Sequence, residues 1–136
     1  MTWIAARFAH EAEGLVGVPF RLHGRDARIG LDCVGLVATA LQRAGIECAV
    51  PHGYTLRHLD IAAMLGCAED AGFHETGEPM ARGDLLLVRP GPAQHHLCIA
   101  VAKNRFVHAH AGIGRVVEHG GLADWPVLRR WRLHSF

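Results

Sequence analysis

The chain has 136 residues, half of them hydrophobic, and fourteen Lys and Arg against thirteen Asp and Glu leave a net charge of +1. That length builds one substantial core rather than two, and the charge balance offers no electrostatic footprint for nucleic acid. The longest apolar runs, such as Leu85 to Val88, are far too short to span a membrane, and MTWIAARFAHEAEG at the N-terminus lacks the layout of a secretion signal.

One domain covering residues 1–136 is therefore expected, made in the cytoplasm, with no membrane partner. The four cysteines, Cys33, Cys48, Cys67 and Cys98, form no CxxC pair and are expected to be reduced thiols. Eleven histidines is a high usage, and several cluster between His95 and His110. Histidine titrates near neutrality and ligates metals, so the cluster is a functional hint.

In chain order, Trp3, Ala6, Phe8 and Leu15 give a loosely amphipathic first helix of about four turns ending at Gly17. The charged, glycine-bearing stretch from Val18 to Gly30 reads as a loop. Leu31 to Gly45 carries apolar residues at helical spacing and closes on a basic residue near glycine, which predicts a central helix. A weaker helix is expected from about Leu56 to Ala71, after a loop holding Pro51 and Gly53. From Arg82 the pattern changes to short strands over 85–88, 97–101, 105–108, 116–118 and 127–133. Helices first and an antiparallel sheet of about five strands second make an α+β fold.

Asp32 is a good N-cap residue, which puts Cys33 in the first turn of the central helix. Unpaired N–H groups and the helix dipole favour an anion there, so this thiol is expected to ionise more easily than most. The same groups suit the oxyanion of an attacked carbonyl. Against that stands the plain alternative of a small buried core residue.

A nucleophilic cysteine needs a base distant in sequence and near in the fold. Alternation along His96-Leu-Cys-Ile-Ala-Val101 puts His96, Cys98 and Ala100 on one face and the core-like Leu97, Ile99 and Val101 on the other. The following strand carries His108 and His110 on one face. A three-residue turn at Ala102-Lys103-Asn104 sets both histidines beside His96, one directly opposite and one diagonal. One imidazole can then hold the other's tautomer, as the third member of a triad does. Register alone leaves His108 and His110 as alternatives for that role. His95 points to the opposite face, and His10, His52, His58, His74, His119 and His134 show no partner pattern and read as surface or structural residues.

Gly17-Val-Pro-Phe-Arg-Leu-His-Gly24, Gly30-Leu-Asp-Cys-Val-Gly-Leu-Val37, Gly83-Asp-Leu-Leu, His96-Leu-Cys-Ile-Ala-Val and Arg105-Phe-Val-His-Ala109 stand in this order from about the first helix to Glu118. Together they resemble the ordered motifs of NlpC-type cell-wall peptidases. The resemblance implies a compact papain-like fold in which Cys33 attacks, His96 is the general base and the third polar residue falls on His108. It implies no metal or organic cofactor, and as substrate the stem peptides of peptidoglycan, usually cut at a γ-D-glutamyl to diamino-acid bond. The tyrosine that the family often places near the oxyanion site corresponds to Phe20, which has no hydroxyl, and His23 in the same loop is a candidate substitute donor. Phe20, His23 and Asp32 are thus the candidate oxyanion or substrate-binding residues. Cys98 stands where the family commonly has glycine. The short chain most resembles the peptidases of phage tails and phage-derived gene-transfer particles, which implies phage tail or particle proteins as partners and as carrier to the wall.

Two other readings compete. His96, His108 and His110 form a plausible three-histidine zinc set with an open fourth position, which would make the protein a metallohydrolase. A catalytically idle phage tail structural protein on the same fold is the other, since fold does not guarantee function.

Overall fold

A computed structural model describes residues 3–48, 61–92, 94–122 and 125–134. Three helices, α1 (Trp3–Glu13), α2 (Cys33–Arg43) and α3 (Ile61–Asp70), precede most of the strands. The strands are β1 (Arg25–Asp26), β2 (Gly30–Leu31), β3 (Phe73–Glu75), β4 (Leu85–Val88), β5 (His96–Ala102), β6 (Arg105–His110), β7 (Arg115–Gly120) and β8 (Val127–Leu133). The mixed α+β architecture, helices first and an antiparallel sheet second, is the one expected. Its details differ in three places.

The sheet has six strands in the order β3-β8-β4-β5-β6-β7 instead of about five. The extra member, Phe73-His-Glu75, is too short for alternation to reveal, and its pairing with Arg132 and Leu133 lies some sixty residues away in sequence. The stretch read as one loop contains the two-residue pair β1 and β2, with Arg25 opposite Leu31. The first helix stops at Glu13, and turns carry the chain on to Gly17, whose φ of 97° only glycine adopts readily. The expected helix from Leu56 begins, within the described residues, at Ile61; Pro51, Gly53, Leu56, His52 and His58 lie outside them.

The sheet buries both faces. Leu85, Leu87, Leu97, Ile99, Val107 and Trp131 pack with α1 and α2 into the main core, which also holds Cys33. Leu86, Val88, Cys98, Ala100 and Phe106 form a smaller cluster on the opposite face, covered by Met80, Leu122 and Trp125. Alternation along β4 and β5 thus divides their apolar residues between two cores instead of between core and solvent.

Two of the sequence motifs are explained by this packing. In the Gly83-Asp84 pair, Asp84 is fully buried and clamps β4 to β8: Arg132 Nε donates to Oδ1 and Arg130 Nη1 to Oδ2, each at 2.8 Å, and Ala81 N–H caps Oδ2 at 3.0 Å. Burial pushes this carboxyl up, yet the hydrogen bonds from Arg132, Ala81 and Arg130 outweigh it and hold the pKa below the usual range. In Asp-Cys-Val-Gly, Gly35 admits the Gly24 carbonyl against the first turn of α2, where any Cβ would collide with it. That contact pins the loop of residues 20–31 beside the helix N-terminus.

Candidate active site

Asp32 adopts an extended backbone and its Oδ1 accepts the Gly35 N–H at 2.8 Å, an N-cap that starts α2 at Cys33. The carboxylate is fully buried and has further donors in Arg25 Nη1 at 3.0 Å on Oδ1 and the His23 backbone N–H at 2.8 Å on Oδ2. Asp32 therefore ties the loop of His23 and Arg25 to the helix end. His23 itself is exposed and holds φ at 60°, a left-handed conformation uncommon outside glycine. Phe20 is half-buried, its ring against the main core and its N–H bonded to the Gly114 carbonyl at 2.8 Å.

The Cys33 thiol is fully buried and is met by the backbone amides of Leu97, Val34 and Cys33 itself. Leu97 is the neighbour of His96 on β5, so the helix N-terminus abuts the strand that carries the candidate base. The expectation of an easily ionised thiol is corrected here. Burial is the largest influence and the Asp32 charge adds to it, and against the three amides they push the Cys33 pKa up to about 12. Helix-end stabilisation of an anion, worth about 1 kcal/mol, cannot offset removing a thiolate from water. No hydrogen bond joins Cys33 to His96 among the described residues, and burial leaves a neutral thiol and a neutral imidazole at rest.

Across β5, β6 and β7 the imidazoles form a chain. His96 Nε2 lies 2.8 Å from His108 Nδ1, with the rings edge to face at 83°. His108 Nε2 lies 2.8 Å from His119 Nε2 on β7. His110 stands beside His108 at 5.4 Å between ring centroids and makes a different bond, accepting the Ile113 N–H on Nδ1 at 3.1 Å. The link to His96 therefore goes through His108. Pairing of Ile99 with Val107 and Ala100 with Phe106 keeps even-numbered residues of both strands on one face. A bulge between Ala100 and Ala102 makes the tighter turn compatible with that parity.

Burial, then His110, lowers the His96 pKa to about 4 against an opposing pull from Asp32. Burial, then His96, His119 and His110, lowers that of His108 to about 3. Both rings are neutral at pH 7. Because His96 commits Nε2 to His108, its remaining nitrogen, Nδ1, is the one left to exchange a proton with another group.

Sequence reasoning missed two members of this site. His119 reads as a surface residue from its isolation in sequence, but pairing of β6 with β7 sets it opposite Phe106 and diagonal to His108. The hairpin of residues 105–120 with its turn near Gly112 and Gly114 was the available signal. Trp125 packs edge-on to His96 and His108, with ring centroids at 6.0 and 5.4 Å, and shields their hydrogen bond. A groove of about 370 Å³ opens beside the chain, lined by Gln94, His95, His96, His108, His110 and Trp125. His74 and His134, also read as unpaired, stack on each other at 4.3 Å between centroids.

Among the described residues, the metal-suited cluster is His96, Cys98 and His108, whose ligand atoms all lie within 4.8 Å of one another. The third donor is thus Cys98 instead of the expected His110. Two imidazoles and a thiolate suit zinc in chemistry, but His96 and His108 spend their facing nitrogens on each other, so a metal there has to displace that bond.

A thiol at a helix N-terminus against a strand of a buried antiparallel sheet, with an imidazole chain beginning one residue away on that strand, is an arrangement suited to a cysteine hydrolase. The profile of the NlpC/P60 family matches residues 17–123, and the chain belongs to that family. No protein among the curated ones matches the sequence. Among solved structures, NlpC2 from Trichomonas vaginalis superposes with a TM-score of 0.67 at 18% identity, covering 95% of this chain and 48% of that one. The peptidoglycan hydrolase RipB of Mycobacterium tuberculosis gives 0.66 at 21%, covering 98% and 66%. The NlpC/p60 domain of the peptidoglycan hydrolase SagA gives 0.58 at 24%, covering 85% and 88%. The chain spans about half the length of the Trichomonas protein.

Proposed function

We propose that the protein is a cysteine endopeptidase of peptidoglycan stem peptides, with Cys33 as nucleophile, His96 as general base and acid, and His108 as the residue that orients it. The observation that supports this reading is that three backbone amides meet the Cys33 sulfur, one of them that of Leu97, the strand neighbour of His96, whose Nε2 is taken up by His108.

The neutral thiol and neutral imidazole define the first step. As sulfur attacks the amide carbonyl, its proton passes to His96 Nδ1, and the N–H groups of Cys33 and Val34 stand where the oxyanion develops. Collapse of that intermediate breaks the C–N bond, and His96 returns the proton to the departing amine. The acyl group is left as a thioester on Cys33. Water, losing its proton to His96, then hydrolyses the thioester and restores the thiol. His108 accepts the His96 Nε2–H throughout and stabilises the imidazolium. The γ-D-glutamyl to diamino-acid bond is the proposed scissile bond. Phe20 leaves this site without the tyrosine hydroxyl frequent in relatives, and His23 is the proposed replacement donor. Delivery to the wall by a phage or phage-like particle is the proposed route.

The test is release of new amino groups from purified peptidoglycan fragments. Cys33→Ala should keep its fold and lose activity entirely, and a fully active variant would reject the assignment.

The clustering of His96, Cys98 and His108 favours a second reading, zinc-dependent hydrolysis. It leaves Cys33 and its amides without a role. Under it, purified protein carries about one zinc per chain and loses activity to chelators; under the cysteine reading, chelators leave activity intact and added zinc inhibits, because it competes for the His96 to His108 bond.

A further inference from the structure

The imidazole chain does not end at His108. Its Nε2 meets His119 Nε2 at 2.8 Å, and His119 Nδ1 faces the Gly120 carbonyl at 3.5 Å. We infer that His119 is a positioning residue that sets, through His108, which nitrogen of His96 is free to act as base. This rests on the assignment of His96 as base made above, and it concerns a residue on β7, two strands over from the β5 strand that meets the thiol.

The polarity follows from what each atom can do. A carbonyl oxygen only accepts, so the His119 nitrogen facing Gly120 is the one that carries hydrogen, and in a neutral ring Nε2 is then a bare lone pair. His108 Nε2, facing that lone pair, must carry its hydrogen, which leaves His108 Nδ1 bare. His96 Nε2, facing His108 Nδ1, must therefore be the N–H, and His96 Nδ1 is left bare. A bare Nδ1 is the form that can take the Cys33 proton. The opposite polarity puts hydrogen on His96 Nδ1 and makes it useless as a base. Without His119, His108 has no partner on Nε2 to choose between its two tautomers, and both polarities become available to His96.

The surroundings make this choice consequential. His96 and His108 are held neutral by burial, and Trp125 covers both rings and also His119, at 6.5 Å between centroids. Other groups acting on these rings are His110 on β6 and the Asp32 carboxylate at the start of α2. Neither His110 nor Asp32 hydrogen-bonds His108, and both have partners elsewhere. Within the chain, His108 is buried and the two ends, His96 and His119, are half-buried.

The experiment reads tautomers and turnover separately. Two-bond proton–nitrogen correlation spectra of the ¹⁵N-labelled full chain, recorded in the Cys33→Ala background at pH 7, should show His96 with a bare Nδ1. Adding His119→Ala should give His96 a mixture of both tautomers. In the otherwise wild-type enzyme, His119→Ala should lower kcat roughly ten- to a hundredfold with KM unchanged, the usual cost of losing a partner that orients a working imidazole. His119→Gln, whose amide oxygen can accept from His108 Nε2, should restore most of the rate and the single tautomer. A merely structural role would lower stability without moving the tautomer ratio and would not be rescued by Gln. Wild-type kcat and an unmixed His96 tautomer in His119→Ala would overturn the inference. The spectra do not depend on which residue is the nucleophile, so a fully active Cys33→Ala would reject the reading above while leaving this result to stand or fall alone.

Discussion

His96 Nε2 and His108 Nδ1 lie 2.8 Å apart on neighbouring strands, beneath the Trp125 ring. The contact uses up the nitrogen that would otherwise compete with Nδ1 for a proton. It also supplies the lone pair that steadies His96 once it becomes an imidazolium.

Removing that lone pair should therefore act on the rate and not on binding. His108→Ala is expected to lower kcat by roughly 10³- to 10⁴-fold, the range seen when a base is left in the wrong tautomer, with KM near wild type. Steady-state kinetics on a defined stem peptide checks this. A loss confined to KM would show that His108 serves substrate binding instead.

The pH profile of activity should be displaced to acid. Burial, then His110, lowers the His96 pKa to about 4 against the pull of Asp32, so the base stays unprotonated well below the usual histidine range. The acid limb of kcat/KM is expected near pH 4, with a plateau down to about pH 5. A limb at about pH 6.5, the ordinary histidine value, would mean that the imidazole titrates as if solvated.

Stability should follow the same groups with a defined sign. His96 and His108 have folded pKa values of about 4 and about 3, below that of the unfolded chain, where histidine titrates near 6.5. Between those limits the unfolded state binds protons that the folded state refuses. Stability is thus complete above pH 6.5 and is lost as pH falls, by about 1.4 kcal/mol per unit for each group. Urea midpoints measured from pH 7.5 to pH 4.5 should fall steeply, and His108→Gln should reduce the slope. An unchanged slope in that variant would contradict the assignment.

The backbone of His23 stores strain that glycine would not. With φ at 60°, a side chain costs about 1 kcal/mol, and the N–H that bonds Asp32 is kept by any residue but proline. His23→Gly should raise the urea midpoint by the equivalent of that amount. If the imidazole is the missing oxyanion donor, the same variant should lose kcat; wild-type kcat would remove His23 from the mechanism.

The parts of the fold that rest on local pattern were legible in the sequence. Asp32 before an apolar helical run places Cys33 at a helix start, and alternation over His96 to Val101 separates the histidine side of β5 from the main core. What escaped depends on pairing over distance. The strand Phe73–Glu75 exists because β8 offers it an edge. His119 acquires a role only once β6 and β7 are in register. The polarity of the thiol was misjudged because a helix N-terminus is visible in sequence, whereas the burial that outweighs it is a property of the packed molecule.

The most direct test of the account is to find where the acyl group goes. Rapid acid quench during turnover of a stem peptide, followed by tryptic mass mapping, separates the peptide Ile29–Arg43, which holds Cys33, from Gly83–Lys103, which holds Cys98. The account predicts an acyl adduct on Cys33 alone. An adduct on Cys98, or turnover with no adduct on either peptide alongside full activity in Cys33→Ala, would contradict it.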